Sequence, residues 1–317
     1  MKKLLLFPCL MLTAPLFWNC TGGPAIAPGS AADGSALSGR TSGDRQPVFY
    51  TVTWAPEDEW IAKLSTIDIR TGVGTPIATF QIDPNDGYAD AFVTPYGVAF
   101  DVDGTMYTTV NWFDGVREHS SSRLARVNRL TGELTYIGDP YPMNFAGPEM
   151  DKGGNIYSTG FTVGDPATGG EPPIVFGDSY LYTLDKNTGE ATRIGDTGHT
   201  EWMDLEFDSQ GRLWSTFGNK LYTLDTQTGA STFVTDIVGV PQDNVPGVCP
   251  EDWPYMEVMS LAFDEHDVLW ATAIRGFSNC EEVDTPVMRI DTETGLATVV
   301  GYTHLGYNHA GDIMPAK

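Results

Sequence analysis

Positive charge is scarce in this sequence. Its 317 residues carry 18 Lys and Arg against 42 Asp and Glu, a formal charge of −24. Binding nucleic acid requires a basic footprint for phosphate, and docking on anionic lipid requires a basic patch, so neither is expected. The same excess of acid suits cations or neutral ligands such as sugars. Cysteine is scarce as well, four in all, with no Cys/His cluster at zinc-ligand spacing. Only 19% of residues are charged, while 11% are aromatic, so the chain can bury a large core and does not read as disordered. The 35 Gly and 21 Pro make it turn-rich, short of the roughly 25–30% that marks low complexity. There is no Gly-x-Ser-x-Gly, Walker loop, dinucleotide fingerprint or His-Glu-x-x-His.

No segment after the N-terminus is apolar enough to span a membrane. Lys2 and Lys3 precede an apolar run from Leu4 to Trp18, broken by Pro8 and Pro15. This reads as an export signal over residues 1–20, too short for a span of about 20 apolar residues. Cys20 closes the run and resembles the lipid-modified cysteine of bacterial lipoproteins. Phe17, Trp18 and Asn19 stand where that pattern has small residues, so ordinary cleavage further on remains the alternative. Residues 21–47 are mainly Gly, Ala, Ser and Pro, the composition of a flexible tether. The expected location is therefore periplasmic, outer-membrane lipid-anchored or extracellular. Cys249 and Cys280 are the cysteines left in the mature domain, and two in an exported chain favour one disulfide.

Residues 48–317 repeat. An apolar strand ends in Asp or Asn, followed by two variable residues and Thr-Gly. The unit occurs at Leu64–Gly72, Leu124–Gly132, Leu181–Gly189, Leu221–Gly229 and Val287–Gly295. Asp or Asn can bond the turn backbone, and Gly supplies a positive φ. A second hairpin precedes each of the last four, marked by Tyr107, Tyr157, Trp214 and Trp270 at intervals of 50, 57 and 56 residues. Four strands per period of about 40–57 residues is the signature of a β-propeller. The spacing predicts an all-β, five-bladed propeller with four-stranded antiparallel blades and a single domain. Its blades are 48–80 with 309–315, 97–138, 147–195, 203–237 and 258–301. The first unit lacks an innermost strand, which Ala310–Pro315 is expected to supply, closing the ring and removing open edges.

The Leu-Tyr-x-Leu-Asp-x-x-Thr-Gly repeat resembles the short-repeat β-propellers of bacterial secreted and surface proteins. WD, kelch and tryptophan-docking signatures are absent. The resemblance implies a fold and an envelope setting, and leaves activity open.

Within each blade the first and third connections are short turns on one face. The long segments 81–95, 112–122, 162–179, 238–257 and 275–286 all fall on the other. Long loops on one face of a rigid scaffold commonly carry function. A binding module for a glycan, a peptide or a cell-envelope protein is expected there, acting as a monomer. The aromatics Trp112, Phe113, Phe161, Phe176, Trp253, Tyr255 and Phe277 either serve such a ligand or cap the outer core. The alternative is a hydrolase or lyase using carboxylates at the channel mouth. Some five-bladed propellers are glycosidases with acids in the central funnel, though no motif here matches theirs.

The innermost strands bring Asn144, Glu201, Glu257 and Asn308 to that mouth, with Trp202 and His309 beside them. Asp204, Glu149 and Glu206 lie deeper, and Asp312 is placed one step off the ring position given to Ile313. Ala99 and Ala262 occupy the positions equivalent to Glu149 and Glu206. Acids there need compensation by backbone donors, water or a cation. Hard oxygen ligands would suit calcium, and no other cofactor is expected. The run Asp83–Asp90 is a lesser calcium candidate, because its spacing misses the EF-hand pattern.

Overall fold

The computed structural model describes residues 47–54, 61–82, 92–113, 121–164, 175–200, 204–241, 256–275 and 284–314. Every named element is a β-strand, and the strands form five antiparallel sheets. Within each repeat the first apolar residue (Leu64, Leu124, Leu181, Leu221, Val287) and the one three positions on (Ile67, Val127, Leu184, Leu224, Ile290) are both buried. Residues an odd number apart on a strand face opposite sides. Both faces of each blade are thus buried, as expected when every sheet is packed between two others. The innermost strands touch in cyclic order, which makes a five-bladed β-propeller.

Ring closure occurs as the sequence predicts. Tyr307–Ile313 forms the inner strand of the blade built from Phe49–Trp54, Lys63–Ile67 and Gly74–Thr79. Its register differs by one residue from the expected one. Asp312 pairs with Tyr50, just as Glu149 pairs with Tyr157, Glu206 with Trp214 and Ala262 with Trp270. Asp312, and not Ile313, therefore holds the ring position. A bulge opposite Thr51 and Val52 leaves Ala310 unpaired, as a like bulge leaves Met259 unpaired between Val258 and Ser260.

The Thr-Gly turns lock neighbouring blades. Asp185 Oδ1 accepts from the N–H groups of Asn187 (2.7 Å) and Thr188 (2.9 Å), and Asp225 and Asp291 repeat the arrangement. Gly229 has φ +80°, and a Cβ there would lie 2.6 Å from the Gly195 carbonyl carbon of the adjacent blade. The glycine is needed for its backbone conformation and for this close approach. The first-hairpin turns are capped by aspartate in the same way. Asp208 takes Trp214 Nε1 at 2.9 Å, and Asp264 takes Trp270 Nε1 at 2.9 Å. Asp101–Gly104 is the hairpin turn that the sequence indicates.

Residues 1–46, the Asp83–Asp90 run, Cys249, Cys280, Glu201 and Trp202 lie outside the described residues, as does Cys20. Of the loop aromatics, Trp112 and Phe161 are buried in the core. Trp253, Tyr255 and Phe277 lie outside the described residues, as do the side chains of Phe113 and Phe176.

Candidate functional site

The inner strands crowd the axis. A Cβ on Gly97 would meet Ala310 Cβ at 2.6 Å and Gly147 Cα at 2.8 Å. The Gly147 Cβ position lies 2.6 Å from Asp204 Oδ1. At this height the axis is filled by glycine, alanine, Ser260 and one carboxylate. Asp204 is satisfied on both oxygens: Oδ1 accepts from Leu205 N (3.0 Å), and Oδ2 from Leu261 N (2.8 Å) and Gly311 N (3.2 Å). It ties three blades together. Burial nonetheless holds its carboxyl well above the ordinary range.

Two residues along from Asp204 on its own strand lies Glu206, which belongs to a ring position shared with Glu149 and Asp312. One carboxylate oxygen from each of the three lies within 4.8 Å of the others. All three are buried, at 5%, 3% and 7% exposure for Glu149, Glu206 and Asp312. Each reaches to the next blade. Glu149 Oε1 accepts from Phe207 N (3.4 Å), Glu206 Oε1 from Phe263 N (2.9 Å), and Asp312 Oδ2 from Phe100 N (2.8 Å). The second oxygens of the glutamates differ: Glu149 Oε2 and Glu206 Oε2 are buried without any hydrogen-bond partner. So the two sequence-level alternatives, backbone compensation and an open ligand position, each describe one half of the same carboxylates.

Burial is the largest influence on these groups and raises all three. Glu149 and Glu206 are pushed well above the usual carboxylate range, first by burial and then by neighbouring acids. Burial lifts the Asp312 carboxyl to about 7. Three acids at this spacing cannot all ionise without a compensating positive charge. The unpaired Oε2 atoms are hard oxygen donors, and calcium takes such carboxylates as ligands. The side chains present thus fit a divalent cation on Glu149, Glu206 and Asp312.

The three acids line a cavity of about 860 Å³. Its walls include Phe100, Tyr157, Phe207 and Phe263, and its rim carries Lys152, Asp208, Asp264 and Arg129. The rim residues belong to the short turns. The described cavity therefore opens on the short-turn face, whereas the sequence directs attention to the long-connection face. The cause is strand direction: each inner strand starts at a long connection and ends at a short turn, and the acids sit near its end.

Asn144, Asn308 and His309 lie three to five residues earlier on those strands, toward the long connections, and do not line the cavity. Asn144 is fully buried with both side-chain polar atoms unpaired. Asn308 Nδ2 donates to Thr303 Oγ1 (3.2 Å) and Gly306 O (3.1 Å). His309 packs edge-on against Trp54 and Tyr96, with centroids 4.4 and 4.3 Å away, and burial lowers it to about 3. It is a neutral core residue. Glu257 is exposed. The structure thus brings together Glu149, Glu206 and Asp312, with Asp204 behind them, and leaves the other described candidates apart. Sequence reading missed the aromatic walls and Arg129. The register of Tyr50 against the four aromatic markers was the available signal for Asp312.

No family model matches this sequence, and no curated protein matches it. Among solved structures it is similar to a chain of a nidogen/laminin complex, at 14% identity, TM-score 0.45, 86% of this chain and 99% of the other. A gluconolactonase from Xanthomonas campestris is similar at 14% identity, TM-score 0.43, 85% of this chain and 80% of the other.

Proposed function

We propose that this chain is an exported binding protein, held at the cell envelope through its tether. In this reading it binds calcium on Glu149, Glu206 and Asp312 and receives a small ligand in the cavity above. The observation that carries it is the pair of buried, unpartnered atoms Glu149 Oε2 and Glu206 Oε2, beside Asp312. Leaving such atoms unmatched is costly in a folded protein, and a cation that binds only the folded state offsets the cost. When bound, the cation would leave coordination positions that a ligand's hydroxyl or carbonyl oxygens could fill. A glycan is the ligand class favoured by the aromatic walls and by the affinity of calcium for neutral oxygen donors. A peptide or envelope protein would instead engage the long connections. The test is a calcium titration of the full chain by calorimetry, beside Glu149→Gln with Glu206→Gln. One site in the wild type, absent from the double variant, supports the reading; equal binding by both refutes it.

A hydrolase is the second reading, favoured by a specific observation: Asp312 is raised to about 7 beside two further carboxyls. A carboxyl that keeps its proton near neutrality can act as a general acid. Turnover of nitrophenyl glycosides that survives chelator and is lost in Asp312→Asn would select this reading over the binding module.

A further inference from the structure

We propose that Arg129 is the anion-recognising residue of the short-turn cavity. The ligand it selects is a small hydroxylated organic anion. Its carboxylate or phosphate sits on the guanidinium, and its hydroxyl oxygens face the three acids. This rests on the cation reading, because a calcium ion offsets two of the three carboxylate charges that would otherwise repel an anion.

Arg129 belongs to the blade-two turn Asn128–Gly132 and lines the same cavity as Glu149, Glu206 and Asp312. It is half-buried. Its Nη1 lies in contact with Met314 Sδ. A thioether is a weak acceptor, while a guanidinium offers five N–H donors in a fork that matches carboxylate and phosphate. Met314 lies two residues beyond Asp312, so this contact holds Arg129 beside the acid ring.

Other described cations also stand without a carboxylate partner, Lys152 among them, so what singles out Arg129 is its place on the wall of the cavity. Arg70 pairs with Asp68, Arg212 with Asp208 and Lys186 with Asp101. Lys152, the other cation named on the rim, donates to Ser209 O at 2.6 Å. Among the described residues no carboxylate pairs with Arg129. Most acids of the rim are engaged by their own turns, Asp151 among them, while Glu265 lies only 3.7 Å from His266. Asp208 and Asp264 hold tryptophan N–H groups and their own turns, and Asp267 Oδ1 accepts from Ser209 N at 2.8 Å. Arg129 thus stands on the wall of an acid-floored cavity with no carboxylate in ion-pair contact among the described residues. The volume of about 860 Å³ falls in the range of small-molecule sites, roughly 300–1,000 Å³.

The experiment uses the calcium-loaded full chain, with glucuronate, glucose 6-phosphate and glucose as probes in calorimetric titrations. At least one anion is expected to bind about tenfold or more tightly than glucose, the scale of a charge-assisted hydrogen bond. Arg129→Gln removes that margin, and Arg129→Lys restores part of it. Preference for glucuronate assigns a carboxylate ligand; preference for glucose 6-phosphate assigns a phosphate. No binding of either anion at millimolar concentration overturns the proposal, as does equal affinity in Arg129→Gln. A calcium titration without sugar separates the two readings. If calcium binds and the anions fail, the Arg129 proposal falls alone; if calcium does not bind, the cation reading falls.

Discussion

Asp312→Asn in the metal-free protein isolates the cost of the acid ring. In the folded chain the Asp312 carboxyl is lifted from 3.8 to about 7 by burial. A raised acid binds its proton more tightly folded than unfolded. The folded state therefore loses stability as pH rises from the unfolded value toward the folded one. Below about pH 4 the group is neutral in both states and costs nothing. The span from 3.8 to about 7, at about 1.4 kcal/mol per pH unit, gives about 4 kcal/mol lost by about pH 7.5. Asparagine keeps an oxygen for Phe100 N and carries no charge. In chelator, Asp312→Asn is thus expected to exceed wild type by up to about 4 kcal/mol at neutral pH, roughly 8–16 °C in melting temperature. The advantage vanishes near pH 4. His309 acts in the opposite direction: burial lowers it to about 3, so its contribution to stability is lost as pH falls from about 6.5. It is common to both proteins and cancels in the comparison. Thermal melts of the two proteins across this pH range read the difference directly. With calcium present the order reverses, because wild type gains a ligand that the variant has lost. A variant less stable than wild type in chelator, or an advantage independent of pH, would refute the reasoning.

Two further outcomes test the scaffold. Gly229→Ala meets both the positive φ and the Gly195 backbone; it should cost several times more than Gly211→Ala, which has φ +78° and nothing within 4 Å. Conformational strain alone costs about 1–2 kcal/mol, so equal urea midpoints for the two variants would contradict the blade-locking role. Truncation after Thr303 removes the inner strand of the first blade and leaves its edge open. The expected result is loss of the cooperative melt by circular dichroism, and a wild-type melt would refute ring closure.

The repeat made the blades legible because each Leu-x-x-Leu-Asp unit must bury both faces, and that requirement leaves a periodic trace. Closure was legible because the first unit visibly lacked a strand. The one-residue offset at Asp312 runs along the whole strand, with Tyr307 and not Asn308 opposite Trp54, because small residues such as Ala310 and Gly311 leave no marker of register. The acids stood out because Ala99 and Ala262 show what the ring otherwise accepts. Their convergence with unpaired oxygens did not, since it depends on which blade each side chain reaches. The face of the cavity was misassigned because loop length drew attention away from the strand ends. Arg129 sits in a turn where any polar residue would pass, so only the cavity singles it out.

Long-wavelength anomalous diffraction from calcium-saturated crystals at about pH 7.5 tests the central claim most directly. The account predicts one calcium peak on the propeller axis, about 2.3–2.6 Å from oxygens of Glu149, Glu206 and Asp312. Density without a peak among these three carboxylates, or calcium found only elsewhere on the molecule, would contradict it.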